Sequence, residues 1–237
     1  MSSPRLRARS IAAAALAVLS AGILTGCSWV SEAITPAVTP TAMIAPEPAP
    51  PQTAPLRGTP VVPGALPSPA LAAKIDNHED ARPQLGLDSA DLVFEELVEG
   101  GLTRYAAVWQ SSVPELIGPV RSIRPMDPDI LTPLGGIVAY SGGQQQFVDM
   151  MRATPVYNAV HGESDTEETF FRADDRESPH DVMVEAAELA AAHSDLPAPA
   201  AQFDYAADLA SSTAASSGEP TSSLALVFSE ARFPSWG

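Results

Sequence analysis

The chain has one cysteine, Cys27, among 237 residues. Without a second thiol no disulfide can close within it, and a zinc site built from several cysteines is excluded. Lysine is equally scarce. Lys74 stands alone, and Lys and Arg together number 13 against 29 acids, for a formal net charge of −16. Duplex nucleic acid and anionic surfaces repel such a body, so no nucleic-acid partner is expected. Long apolar runs are missing as well. The longest, Ile11 to Leu24, would span about 21 Å as a helix at about 1.5 Å per residue, short of the roughly 30 Å hydrocarbon core, so a permanent transmembrane helix is not expected.

What is present at the N-terminus explains that short run. Arg5, Arg7 and Arg9 precede it with no acid to offset them, the layout of an export signal. Arg5 and Arg7 are not adjacent, which gives a twin-arginine route no support. After the run comes Leu24-Thr25-Gly26-Cys27, which resembles the lipobox of bacterial lipoproteins. Small residues before the cut let the backbone lie extended in a peptidase cleft, and a cysteine thiol can take a diacylglyceryl thioether. The expectation is a signal peptide over 1–26, lipid on Cys27, and a membrane-anchored chain on the extracytoplasmic face. Removing the three signal arginines leaves ten basic residues against 29 acids, a balance of −19.

From 27 to 70 the chain is rich in Pro, Ala and Thr, with eleven prolines between Pro36 and Pro69, and reads as a disordered tether in extended polyproline conformation. A second biased stretch, 197–223, reads as a linker, and 224–237 as the remnant of a second domain. Between them, 71–196 alternates strand and helix patterns. Leu71 to Asp76 is a strand. Asp91 to Glu99, Gly100-Gly101 and Leu102 to Gln110 form a hairpin, which with a two-residue turn places Leu92, Phe94 and Val98 on one face with Tyr105, Ala107 and Trp109. Asp127-Pro128 opens a short helix to Leu134 as N-cap and first-turn proline. Ile137 to Tyr140 is a strand, Gln144 to Arg152 a helix, and Asp181 to Ala192 an amphipathic helix. Both hairpin faces are apolar enough to be covered. The fold class expected is therefore α/β: a layered mixed sheet with a central β-hairpin and flanking helices.

These residues carry a resemblance. Lys74 to His78, Ala81 to Leu87, Ala90 to Arg104, Gly118 to Pro125, Ala139 to Gly143 and Ser178 to His180 are similar, in that order, to the YerB-like lipoproteins. The resemblance implies the fold and an envelope location and implies no activity, because the family's domain has no established function. Members usually continue into a second domain, which in this chain is expected to be largely missing.

Candidate chemistry centres on Arg121 and Arg124, in a segment stiffened by Pro119 and Pro125. Two guanidiniums on a rigid loop suit a phosphate or carboxylate, since each donates paired hydrogen bonds. The competing possibility is that they pair with Glu95, Glu96 or Asp127. Arg104 reads as structural, diagonal to Glu95 and Glu99. Glu96 falls among apolar neighbours and is either half of a buried ion pair or a functional acid. Lys74 stands with Asp76, Asn77 and His78 at a strand end, where ligands often bind in α/β sheets. Asp91, Glu96 and Asp127 complete the ligand-binding candidates. Ser141-Gly142-Gly143 lacks the Gly-Lys-Ser/Thr of a phosphate loop, and His161 and His180, among Glu163, Asp165, Asp174 and Asp175, match no zinc spacing and read as a solvated acidic loop. No cofactor or metal is expected.

Two classes of function stay open. One is an envelope module that binds a ligand or partner. The other is an enzyme on a phosphate-bearing envelope substrate, because Ala90-Asp91, Arg121 to Arg124 and Ala139 to Gly143 are loosely similar in order to the LytR-type phosphotransferases. A deep apolar groove ending at the arginines would favour the enzyme; a shallow surface with those arginines paired would favour the module.

Overall fold

The computed structural model describes residues 52–62, 65, 68–229 and 235–236. Cys27, the expected signal peptide and the part of the expected tether up to Pro51 lie outside these residues. In chain order the elements are β1 (Gln52–Thr53), β2 (Pro60–Val61), β3 (Leu71–Asp76), β4 (Leu92–Leu97), β5 (Thr103–Trp109), β6 (Leu116–Ile117), α1 (Asp127–Leu131), β7 (Ile137–Tyr140) and α2 (Gln145–Arg152). They continue with β8 (Tyr157–Val160), β9 (Phe170–Arg172), β10 (Val182–Glu185), α3 (Ala186–Ala192), α4 (Thr213–Ser217), β11 (Leu224–Ala225) and β12 (Ser235–Trp236).

The main sheet has five strands in the order β4-β5-β3-β7-β8. β4, β5 and β3 run antiparallel, and β3, β7 and β8 run parallel, so the sheet is mixed as the pattern implies. The hairpin forms one flank of this sheet, with β5 inside and β4 at the edge. Alternation along the strands divides the core. Leu71, Ala73 and Ile75 of β3 face a second sheet, β6-β10-β9, together with α3. Ala72 shares the opposite face with Val138 and Tyr140, and is covered by Leu131 of α1, by Leu134 just after it, and by Val148 and Met151 of α2. Entry into β7 depends on Gly136, at φ +69°: a Cβ there would sit 2.1 Å from the Ala70 carbonyl oxygen.

Part of the proline-rich stretch packs on this domain. Ala54 and Leu56 are buried, Leu56 within the α1/α2-side core, and the Arg57 guanidinium lies 3.6 Å from Asp91. At the other end, β11 pairs with β12 and not with the main sheet, and most residues of 200–229 are exposed.

Three local expectations are corrected. The hairpin loop takes three residues, Glu99 to Gly101, with Gly100 and Gly101 at φ +70° and +71°, and Val98 donates to the Leu102 carbonyl. The register is therefore Leu92↔Val108 and Glu96↔Arg104, one residue from the two-residue-turn pairing, and that slip exchanges the faces. Leu92, Phe94 and Glu96 lie with Arg104, Ala106 and Val108, and Arg104 stands opposite Glu96 rather than diagonal to Glu95 and Glu99. Next, the segment read as a helix from Asp181 starts as a strand, because Val182 to Val184 pair with β9 and Val184 and Glu185 with β6, and the helix begins only at the alanine run. Finally, Asp127 lies inside α1 and caps nothing; its carboxylate turns to Lys74 and to the Arg124 amide.

Candidate functional site

The candidate residues divide into a closed group and an open one. Lys74 sits in mid-strand on the face covered by α1, with no exposed surface. Its ammonium donates to Asp127 Oδ1 at 2.7 Å and to Glu96 Oε2, and both carboxylates are buried. Asp127 Oδ2 also accepts from the Arg124 backbone N–H. Burial, with the Asp127 charge added, pushes the Glu96 carboxyl up to about 7 against the opposing pull of Lys74. Lys74, Glu96 and Asp127 thus close the interior and offer nothing to a ligand from outside. Asp91 is also turned inward. Its side chain accepts from the backbone amides of Gln110 and Ser111, at 2.6 and 2.7 Å, and from the Ser111 hydroxyl, tying the start of β4 to the end of β5. Asn77 donates to Thr103 at 2.8 Å and accepts from Arg82 at 3.0 Å, bracing the turn after β3.

The open group surrounds the end of β3. The chain from Pro119 to Arg121 runs beside that strand: Asp76 N–H donates to the Pro119 carbonyl and Arg121 N–H to the Lys74 carbonyl. The Arg121 and Arg124 side chains are 19% and 13% exposed. Arg124 is satisfied by Glu99, through Nε at 2.9 Å and Nη2 at 2.6 Å, and by the Ile123 carbonyl. Arg121 spends one donor on the Pro179 carbonyl at 2.6 Å and lies 3.5 Å from Asp76. Arg104 donates to the Ser122 carbonyl between them. Burial and the neighbouring Arg124 and Arg121 charges bring the Arg104 guanidinium down to about 10, with Asp76 and Glu99 acting the other way. Three guanidiniums therefore share two carboxylates in a strongly acidic chain.

Against Arg121 lies a pocket of about 160 Å³ lined by Arg121, Arg172, His161, Ser122, Ser141 and Ser178. Arg172 is tied to Asp181 at 2.7 and 2.8 Å through Nη1 alone, and its side chain is half exposed. Burial, and then the Arg172 charge, hold the His161 imidazole below its ordinary value. Neither His161 nor His180 is a freely solvated loop residue: His161 lines this pocket, and His180 Nδ1 is 2.7 Å from Asp76 Oδ2. Arg172 escaped sequence reasoning because β9 was not foreseen, and nothing local marks it. A separate apolar groove of about 680 Å³ runs along Pro83 to Asp88 with Val93 and Tyr105, away from the arginines.

A layered α/β domain with a sealed ion triad and an arginine-lined pocket is the class that fold and site define. The chain belongs to the family described as "Protein of unknown function (DUF3048) N-terminal domain", whose model matches residues 56–198. It is similar to the protein named "Putative lipoprotein YerB" of Bacillus subtilis (strain 168), at 54% identity over 54 residues, 23% of this chain and 16% of that protein. The crystal structure of the YerB protein from Bacillus subtilis is similar at 30% identity with a TM-score of 0.52, over 58% of this chain and 47% of that one. The chain therefore spans less than half the length of these relatives. The resemblance in the motifs from Lys74 to His180 is borne out, and the activity of the family is not established.

Proposed function

We propose that this is a lipid-anchored extracytoplasmic module of the cell envelope that binds the phosphate or carboxylate group of an envelope ligand in the Arg121 pocket. The observation that carries the reading is the pocket lining: two guanidiniums, an imidazole and three serines around about 160 Å³. Guanidinium forks and hydroxyls are the groups that recognise such anions. The volume is below the roughly 300 Å³ at which drug-sized ligand sites begin, so it suits an anionic head rather than a whole molecule. Among the described residues the apolar groove does not end at the arginines, which favours a binding module over a phosphotransferase with a polyprenyl substrate. The anchor rests on Leu24-Thr25-Gly26-Cys27 and on the name of the Bacillus relative.

The experiment is a melting curve of the full chain with inorganic phosphate or pyrophosphate and a chelator, so that no metal contributes. Pyrophosphate is expected to raise the midpoint of the parent and not that of Arg121→Ala or Arg172→Ala. No shift in the parent, or equal shifts in both variants, overturns the pocket. For the anchor, Cys27→Ser is expected to abolish lipid labelling in cells, and labelling that persists overturns it.

A further inference from the structure

We infer a divalent transition-metal site formed by His78, Asp80 and His180. These residues lie outside the arginine pocket and come from two loops, one following β3 and the other leading into β10. Their imidazole rings are stacked, with centroids 4.8 Å apart at 20°. Asp80 Oδ2 is 3.3 Å from His78 Nδ1, and one potential ligand atom from each of the three residues lies within 4.8 Å of the others.

The chemistry follows from the donor set. Two imidazoles and a carboxylate match Zn²⁺, Co²⁺ or Ni²⁺ better than Mg²⁺ or Ca²⁺, which prefer oxygen alone. A tetrahedral ion with bonds of about 2.0–2.1 Å spaces its ligand atoms about 3.3–3.4 Å apart. The His78–Asp80 pair already has that spacing, and sharing one ion requires the two stacked rings to turn so that their nitrogens converge on it. An ion on His78 Nδ1 replaces the hydrogen bond that this atom accepts from the Asp80 amide at 3.2 Å. Asp80 is 72% exposed and borders an open pocket of about 370 Å³, so its carboxylate is reached from solvent.

A buried carboxylate supports the arrangement from behind. Asp76 Oδ2 lies 2.7 Å from His180 Nδ1, and Asp76 Oδ1 accepts from the His78 backbone N–H at 3.0 Å, so one side chain positions both histidines. With Nδ1 of His180 engaged, its Nε2 is the nitrogen left for a metal, the carboxylate–histidine–metal pattern of zinc sites. Asp76 and Asp80 also offset the charge an ion would bring beside Arg121. Three protein ligands leave one tetrahedral position for water.

The inference stands apart from the anion reading, and the metal titration is run without phosphate so that the two fail separately. The full chain carrying Cys27→Ser, whose one thiol is thereby removed, is stripped with a chelator and titrated with Zn²⁺ by calorimetry and with Co²⁺ by visible absorption. One ion per chain and the intense bands of tetrahedral Co²⁺ are expected. Asp80→Asn, a surface change that leaves folding intact, should weaken Zn²⁺ at least about tenfold, as should Asp76→Asn through the support it gives His180, while His193→Ala has no effect. Zn²⁺ that fails to bind, or that binds Asp80→Asn as tightly as the parent, overturns the site.

Discussion

Lys74 and Arg121 are joined by one backbone hydrogen bond, 2.7 Å from the Arg121 amide to the Lys74 carbonyl, yet their side chains live in opposite conditions. The Lys74 ammonium has no exposed surface and is matched by two buried carboxylates. The Arg121 guanidinium reaches a pocket and shares Asp76 with His180. The two residues are far apart in sequence and meet only where neighbouring segments run side by side, so local sequence does not show the contrast. Depth along β3 does: Lys74 lies in mid-strand under α1, and Asp76 is the last residue of the strand, where the covering layer ends. A buried ammonium is tolerated only when fully paired, whereas a guanidinium that reaches the surface keeps donors to spend on something that arrives from outside.

The sharpest way to break this contrast is to remove the ammonium. Lys74→Met keeps most of the side-chain volume and strands Glu96 and Asp127 in the interior, where breaking a buried pair costs about 3–5 kcal/mol. For a domain of this size that corresponds to a fall in Tm of roughly 10–20 °C. Adding Glu96→Gln and Asp127→Asn removes the stranded charges and is expected to recover part of the loss. A Lys74→Met midpoint within about 2 °C of the parent would mean that the triad is not what seals this face.

The contrast was only partly visible from the sequence. The strand Leu71–Asp76, the hairpin, Ile137–Tyr140 and the helix ending at Arg152 all announce themselves through apolar period and glycine turns. Glu96 as half of a buried pair was legible because a carboxylate among Leu92 and Phe94 has few other fates. Its partner was not. Lys74 lies on a strand that meets β4 only through β5, and its second acid comes from α1. The hairpin register turned on a single loop residue, which Gly100-Gly101 leaves ambiguous. β8 and β9 are three or four residues long and carry no alternation of their own, so Arg172 could not be placed next to Arg121, nor His180 next to His78. Such convergence of loops is set by tertiary structure and leaves no spacing motif.

A second test separates the two regions by pH. Burial holds the Glu96 carboxyl at about 7, above its ordinary 4.5, so between these values the folded chain keeps a proton that the unfolded chain has lost. Its contribution to stability is therefore full below about pH 4.5 and is lost as pH rises through about 7. Urea unfolding of the parent and of Glu96→Gln at pH 5 and pH 8 is the measurement. The parent should lose more stability than the variant over that interval. Equal losses would place the Glu96 proton in solvent-like surroundings and dissolve the distinction between the closed and open groups.

The smallest effect is expected at Arg124, and its pH dependence runs the other way. Hydrogen bonds from Arg124, more than its charge, hold the Glu99 carboxyl below its ordinary value. Glu99 is 62% exposed, so Arg124→Ala leaves a carboxylate that water solvates, and an exposed pair of this kind is worth about 0–1 kcal/mol. Because the folded value is depressed, that small contribution is present above the ordinary carboxylate value of 4.5 and disappears as pH falls through the folded value. Parent and Arg124→Ala should therefore differ slightly at pH 7 and converge in acid, and an NMR titration should show the Glu99 carboxyl returning upward in the variant. Arg104 also loses one of the two cations that depress it, which limits the net cost further. A loss of 3 kcal/mol or more at pH 7 would have to come from a buried partner. That result would move Arg124 into the closed group with Lys74 and leave Arg121 as the open group's point of access to the pocket.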